Sequence, residues 1–158
     1  MFLRKKTDSD LSSIKTYSIG LEQAKAYRIL KHITGQALEK YRLTPLDWAL
    51  LGLLFDQKNG LRSSEIAVRL GVEAPFVTVM IDQLQTKKLV TRKKDIQDRR
   101  AKVITLTTNG RRRVIVIEKN LRLTTRHVLH GLSPKEVLTY FKVLKAIVAN
   151  SQTISAQV

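Results

Sequence analysis

The chain has 158 residues, enough for one domain with a buried core, and its 43% hydrophobic content excludes an intrinsically disordered chain. It contains no cysteine, which excludes disulfides, thiolate metal sites and thiol redox chemistry. Lys and Arg number 29 and Asp and Glu 13, and the resulting net charge of +16 indicates a polyanionic partner.

The sequence has no feature that targets it to a membrane. No apolar run approaches the roughly 18 residues of a membrane-spanning helix. The N-terminal stretch MFLRKK becomes charged at Arg4, so it lacks the apolar core of a signal peptide. We therefore expect a cytoplasmic protein with no membrane partner.

Two helices are predicted in the N-terminal part. Apolar residues recur at helical spacing over residues 11–41. Thr44 and Pro45 predict the start of a second helix, because threonine is a good N-cap and proline suits the first helical position. Asn59 and Gly60 predict its end. We expect its buried face to consist of Leu46, Ala49, Leu50, Leu53 and Leu54.

A helix-turn-helix pattern follows. A short helix is predicted over residues 63–70, with Gly71 in the turn, because glycine adopts a left-handed backbone without strain. In the next helix, residues 74–87, the spacing of Val77, Ile81 and Leu84 places them on a core-facing side. The opposite side is predicted to be a DNA recognition surface. Its candidate contact residues are Ala74, Pro75, Phe76, Thr78, Val79 and Gln83.

A charged β-hairpin is predicted next, with strands at Leu89–Lys94 and Lys102–Thr107 and residues 95–101 at its tip. From Lys87 to Arg113, Lys and Arg number eleven and Asp two, so this segment carries more than half of the net charge. A solvated basic surface would show the same run, but its position beside a helix-turn-helix favours DNA. The candidate wing and phosphate contacts are Arg69, Lys87, Lys88, Arg92, Lys93, Lys94, Asp98, Arg99 and Arg100.

The stretch SSEIAVRLGVEAPFVTVMIDQLQTKKLVTRKKDIQDRRAKVITLTTNGRRR resembles the winged-helix core of the MarR family of bacterial and archaeal transcription regulators. The shared motifs are Leu-Gly at 70–71, Val-Thr at 77–78, Asp-x-Arg at 98–100 and Leu-Thr-x-x-Gly at 106–110. The segments VEAP and IDQL are similar to the SlyA branch of that family. The resemblance implies a nucleoid-associated regulator that binds double-stranded DNA and needs no cofactor.

Two positions depart from the family pattern. Lys88 stands where the family usually has glycine, so we expect that helix end to be formed differently. The recognition helix has apolar residues where relatives often have serine, threonine or arginine. Such side chains would sense thymine methyl groups, and Thr78 would offer its hydroxyl to a base edge or phosphate.

The C-terminal part is predicted to contain two more helices. The first covers residues 108–130, although its β-branched run Val114–Ile117 locally favours a strand. Gly131 is predicted to end it. Ser133 and Glu136 predict a capping box for the second helix, whose apolar stripe is Leu138, Phe141, Leu144 and Ile147.

The resemblance implies a mainly α fold with a small β-hairpin. Residues 44–107 would form the winged helix-turn-helix lobe, and residues 1–43 and 108–158 a helical dimerisation region. A homodimer with a two-fold axis would bind a pseudo-palindromic operator, because it presents two recognition helices about one DNA turn apart.

The resemblance also implies a ligand cleft where the dimerisation helices meet the winged-helix lobe. Tyr17 and Trp48 would cover the ring of a small aromatic carboxylate, which Arg28 or His32 would bind. The alternative is that Trp48 is an ordinary core residue. His127 and His130 lie three residues apart on a helix, but no third ligand is near in sequence, so no metal is expected.

We expect the wing tip to lie in the minor groove, with Arg100 inserted and Asp98 orienting a wing arginine. The alternative is an Asp98–Arg100 pair that only stiffens the hairpin. No catalytic motif is present. The leading hypothesis is therefore a sequence-specific regulator, and the alternative is an architectural protein that coats DNA with little sequence preference. A nucleic-acid enzyme has only the charge in its favour.

Overall fold

The computed structural model describes residues 15–95 and 101–155, which fall into two units divided between Leu121 and Arg122. Residues 11–14 of the predicted first helix, and Asp98, Arg99 and Arg100 of the predicted wing, lie outside the described residues. The elements are α1 (Thr16–Glu39), α2 (Pro45–Asp56), α3 (Ser63–Leu70), α4 (Ala74–Thr86), β1 (Val90–Lys94), β2 (Lys102–Leu106), α5 (Thr108–Val128) and α6 (Pro134–Ser155).

The predicted fold class is confirmed: the described residues are mainly helical, with an antiparallel hairpin after the helix-turn-helix. The core of the first unit is made of side chains from α1 to α5 and from the hairpin. Within the two described ranges, no helix is long and apolar enough to cross a membrane.

The predicted start of α2 is confirmed. The Asp47 amide donates to Thr44 Oγ1 at 3.0 Å, and the Thr44 amide donates to Asp47 Oδ2 at 2.9 Å. The predicted end is wrong, because the helix stops at Asp56 and Gln57 is already extended. Gly60, with φ 79°, turns the chain into a short bridge between Leu61 and β2.

The buried face of α2 is wider than predicted. Leu50 and Leu54 are buried as expected, and Leu46 and Leu53 are half-buried. Ala49 is exposed, however, and Leu51 is fully buried. The helix is covered by α1, α3 and β2, so apolar side chains outside a single stripe also find partners.

The helix-turn-helix forms as predicted. Helix α3 has the predicted bounds, and Gly71 adopts the left-handed backbone with φ 66°. In α4, Val77, Ile81 and Leu84 are all fully buried, which confirms the predicted core-facing side. Met80 joins them on this side.

The hairpin pairs Val90 with Leu106 and Arg92 with Ile104. Each strand is one residue shorter than predicted, at Leu89 and at Thr107. Ile104 also forms two hydrogen bonds on the edge of β2 that faces away from β1. Its amide donates to Leu61 O at 2.8 Å, and its carbonyl accepts from the Leu61 amide at 3.1 Å. The middle of the second strand is thereby bonded to the segment between α2 and α3.

The junction between the hairpin and α5 depends on Gly110. Its amide donates to Thr107 Oγ1 at 2.9 Å, which caps α5. A Cβ atom at Gly110 would lie 2.0 Å from the carbonyl oxygen of Leu89. The glycine of the Leu-Thr-x-x-Gly motif is therefore required by a close backbone approach and not by a left-handed conformation.

The second unit contains the end of α5 and α6. Helix α5 is continuous through its β-branched run and ends at Val128, earlier than predicted, with Gly131 in the following turn at φ 85°. The predicted capping box of α6 is confirmed: the Ser133 amide donates to Glu136 Oε2 at 2.8 Å, and the Glu136 amide to Ser133 Oγ at 3.3 Å. The Ser133 hydroxyl and amide bonds hold the pKa of Glu136 below its ordinary value.

The Gly110→Ala substitution is expected to destabilise the protein by more than about 2 kcal/mol, because the added methyl group meets backbone that cannot rotate away. Gly52→Ala is the matched control. Gly52 lies inside α2 with nothing within 4 Å of the added Cβ, so alanine there should stabilise by about 1 kcal/mol. Urea unfolding measures both, and equal effects would contradict the role of Gly110.

Candidate nucleic-acid interface

The recognition surface is the outward side of α4, defined here as Ala74, Pro75, Phe76, Thr78, Val79 and Gln83, and called the α4 surface. All six residues are exposed. Two of them are large and apolar: Phe76 is 50% and Val79 is 53% exposed. The split of α4 into a buried and an exposed side is therefore confirmed, and contact of the exposed side with DNA stays a prediction.

The polar groups near this surface are partly occupied. Thr78 Oγ1 donates to the carbonyl of Ala74 at 3.4 Å, a bond within the helix itself. Asp82, one turn after Thr78, is held by Arg92 of β1, with Nη2 and Oδ1 2.7 Å apart. The first turns of α4 therefore present mainly hydrocarbon to an incoming partner.

Arg92 joins the hairpin to the recognition helix. Besides its ion pair with Asp82, its Nη1 donates to Gln85 Oε1. Its guanidinium is thus bound by two side chains of α4, although the sequence favoured a phosphate contact. Through these two contacts, Arg92 fixes the wing to α4.

A second ion pair holds the other side of the hairpin. Arg62, which precedes α3, donates from Nε and Nη2 to Asp95 Oδ2 at 2.9 and 2.7 Å. The Asp95 amide also donates to Ala101 O at 3.0 Å across the base of the tip. No sequence pattern predicted this pair. Asp95, an acidic residue at a strand end within a basic run, is a signal for an ion pair. Its partner lies 33 residues away in the sequence, too far for a local pattern to identify.

The remaining predicted cations in the described ranges are exposed. They are Arg69, Lys87, Lys88, Lys93 and Lys94. Lys87 also donates from Nζ to Arg42 O at 2.6 Å. Asp98, Arg99 and Arg100 lie outside the described residues, so the predicted contact of Arg100 with a minor groove stays a prediction.

The end of α4 is formed by a lysine in the left-handed region. Lys88 has φ 57°, its amide donates to Gln85 O at 2.8 Å, and the Leu89 amide donates to Leu84 O at 3.0 Å. Glycine usually occupies this position, because a side chain there costs about 1–2 kcal/mol. The expectation of a differently built helix end is therefore wrong. The backbone keeps the conformation typical of glycine because hydrogen bonds on both sides fix it.

The predicted effector residues lie in different environments. Tyr17 is 71% exposed on α1, and Arg28 and His32 are exposed on the same helix. Trp48 on α2 is half-buried and packs against the core. The packing of Trp48 agrees with the alternative of a core residue, and a ligand contact stays a prediction.

The two C-terminal histidines show no sign of a metal site. His127 Nδ1 lies 2.8 Å from the carbonyl oxygen of Leu123. Among the residues with described positions, no group of three His, Cys, Asp or Glu side chains is arranged to hold a metal ion.

A helix-turn-helix, a charged hairpin fixed to it, and an exposed recognition surface define the winged-helix class of DNA-binding lobes. The sequence model of the MarR family matches residues 43–102, which span this lobe from α2 to the start of β2. This part of the chain is therefore similar to the MarR family. The narrower similarity to the SlyA branch stays a prediction.

Solved structures of MarR-type regulators share the fold. The chain is similar to the transcriptional regulator BldR from Sulfolobus solfataricus, with 25% identity, a TM-score of 0.75, and coverage of 85% of this chain and 94% of that one. It is similar to MepR from S. aureus in a complex with DNA, with 28% identity, a TM-score of 0.68, and coverage of 86% and 98%. It is also similar to CouR from Rhodococcus jostii bound to p-coumaroyl-CoA, with 23% identity, a TM-score of 0.77, and coverage of 82% and 90%.

The Lys88→Gly substitution is expected to stabilise the protein by about 0.5–1 kcal/mol. It removes the left-handed strain but adds freedom to the unfolded chain. Lys87→Gly is the matched control, since it removes the same charge at φ −76° and should destabilise by about 0.5–1 kcal/mol. Thermal unfolding of the two variants at one salt concentration measures both, and a loss of stability in Lys88→Gly would contradict the strain.

Proposed function

We propose that the protein is a dimeric, sequence-specific regulator of transcription that binds double-stranded DNA. The single observation that carries this proposal is the α4 surface, which is exposed and lies next to a hairpin fixed by two ion pairs. Exposed lysines at the end of α4 and in β1 follow the α4 surface in the sequence. Such a surface fits a major groove, and the lysines fit the phosphates beside it.

The placement of apolar side chains supports a dimer. Most of the exposed large apolar residues lie on α1, α5 and α6 and not on the winged-helix lobe. They include Tyr27 and Ile29 on α1, Ile115 and Leu123 on α5, and Leu138 and Phe141 on α6. Because exposed large apolar side chains in such number favour an interaction site, we propose that the helices of residues 1–43 and 108–158 meet those of a second copy. The lobe of residues 44–107 would then bind one operator half-site.

The relatives support the same function. MepR, 28% identical over most of both chains, has been crystallised in a complex with DNA. The family that matches residues 43–102 consists of transcription regulators and not of enzymes, which argues against a nucleic-acid enzyme. An architectural protein without sequence preference remains the alternative, because the charge alone would serve it equally well.

The test is selection of duplexes from a random pool by the purified protein, followed by affinity measurements at fixed salt. A regulator should bind the selected duplex at least about 1,000-fold more tightly than a scrambled one, and the selected site should be a pseudo-palindrome. A ratio near one would favour the architectural protein. Light scattering should give the mass of two chains for the free protein.

The salt dependence tests which lysines contact phosphates. If about eight phosphates are neutralised, log affinity should fall with log salt at a slope near −7. Lys94→Ala, which affects both protomers, should make the slope less steep by about 2. Lys25→Ala on α1, also exposed, is the matched control and should leave the slope unchanged. Equal slopes for the two variants would place Lys94 away from the phosphates.

We further propose that a small aromatic carboxylate modulates binding. Arg28 and His32 are exposed one helical turn apart on α1, so they offer a charge-assisted bond to a carboxylate. CouR, which shares the fold, is bound to p-coumaroyl-CoA. A tenfold change in operator affinity needs about 1.4 kcal/mol of coupling between the ligand and DNA.

Calorimetric titration with benzoate, and repetition of the operator measurement at saturating benzoate, test the effector. We expect binding in the millimolar range or tighter, a change in operator affinity, and loss of both in Arg28→Ala. Benzamide, which has no charge, is the matched ligand and should not bind. Absence of heat and of any operator effect with benzoate and salicylate would reject an aromatic acid as the effector.

A further inference from the structure

The α4 surface lacks the groups with which recognition helices usually distinguish bases by hydrogen bonds. Ala74, Pro75, Phe76 and Val79 are exposed and have no side-chain donor or acceptor. Thr78 directs its hydroxyl hydrogen to the carbonyl of Ala74. Bidentate readout of guanine or adenine needs Arg, Lys, Asn or Gln, and in this surface only Gln83, at its C-terminal end, is of that kind.

Hydrocarbon at this place has a defined match in DNA. In the major groove the one apolar group on a base edge is the C5-methyl of thymine. The large exposed side chains are Phe76 and Val79, three residues apart and therefore neighbours on the helix. Exposed lysines at 87, 88, 93 and 94 follow on the chain, so the charge beside the apolar patch favours a nucleic acid and not a protein as its occupant.

We propose that α4 reads its operator through pyrimidine C5-methyl groups, with Phe76 and Val79 as the specificity-determining residues. This inference rests on the proposed DNA-binding function and names the chemical group that the protein recognises. Val79 is exposed because its neighbours Met80 and Ile81 face the core. The ion pair from Arg92 to Asp82 lies one turn further along and fixes the wing relative to this patch.

The experiment uses the full chain and the duplex that it selects from a random pool. Each thymine of that duplex is replaced in turn by uracil, which removes the methyl group and keeps all base-pair hydrogen bonds. At one or two positions in each half-site, affinity should fall about fourfold per methyl group, which corresponds to about 0.8 kcal/mol for one buried methyl. At the other thymines the replacement should change affinity by less than about 1.5-fold.

The side chains are assigned by combining protein and DNA changes. In Val79→Ala or Phe76→Ala, the penalty for uracil at the matching position should shrink to less than about twofold, because the methyl has lost its partner. Val79→Thr has the same shape with a hydroxyl in place of one methyl and should also lose most of the methyl effect. Gln83→Ala is the control variant and should keep the full uracil penalty. Since all these side chains are exposed, thermal unfolding should show unchanged folds.

A second measurement uses cytosine. At a position where a thymine methyl group is recognised, the T·A pair is replaced by a C·G pair. The duplex with 5-methylcytosine there should bind about fourfold more tightly than the duplex with unmethylated cytosine. Equal affinity for thymine and uracil operators, in a protein that still selects a sequence, would overturn methyl readout while leaving the proposed function intact. A uracil penalty that persists in both alanine variants would overturn the assignment to Phe76 and Val79. Failure to select any sequence would instead reject the proposed function itself.

Discussion

The backbone junction at Leu89 is the constraint on which the winged-helix lobe depends. The Leu89 amide closes the end of α4 on Leu84, and its carbonyl accepts the Thr107 amide at 3.0 Å. The Thr107 hydroxyl donates to the carbonyl of Lys88, and Gly110 brings α5 directly against the same peptide. The two peptide units on either side of the Leu89 Cα therefore join the recognition helix, both ends of the hairpin and α5.

The junction also explains why a strained lysine is tolerated. Hydrogen bonds to Gln85, Thr107 and Asn109 fix the backbone at Lys88, so the left-handed conformation is set by the surroundings and not by the residue. The position lies at the end of the recognition helix, and Lys88 is exposed there. A lysine adds a cation beside the proposed DNA contact, where a glycine would add none.

Two acidic residues, Asp82 and Asp95, fix the hairpin within its basic surroundings. Asp82 and Asp95 each bind one arginine, and together they hold β1 on two sides, to α4 and to the start of α3. Each pair is partly exposed and contributes only about 0.2–1 kcal/mol. Their effect is geometric, because they orient the hairpin while the lysines around it stay exposed to solvent.

The sequence by itself determined the helix-turn-helix, the hairpin, the Thr44 N-cap and the capping box of Ser133 and Glu136. Those features depend on local rules: Thr44 and Ser133 cap the helices that follow them, Gly71 adopts a left-handed turn, and the spacing of Val77 and Ile81 defines the core side of α4. The same helical spacing also predicted the candidate recognition residues, because residues of α4 that do not face the core must face solvent.

The tertiary structure alone decided the rest. The partners of Arg62 and Asp95 are 33 residues apart, and the contact between Gly110 and Leu89 depends on how the hairpin folds back onto α4. The burial of Leu51 depends on the elements that surround α2 on several sides. No pattern of neighbouring residues encodes such contacts, because they arise only when distant segments are brought together by the packing of the core.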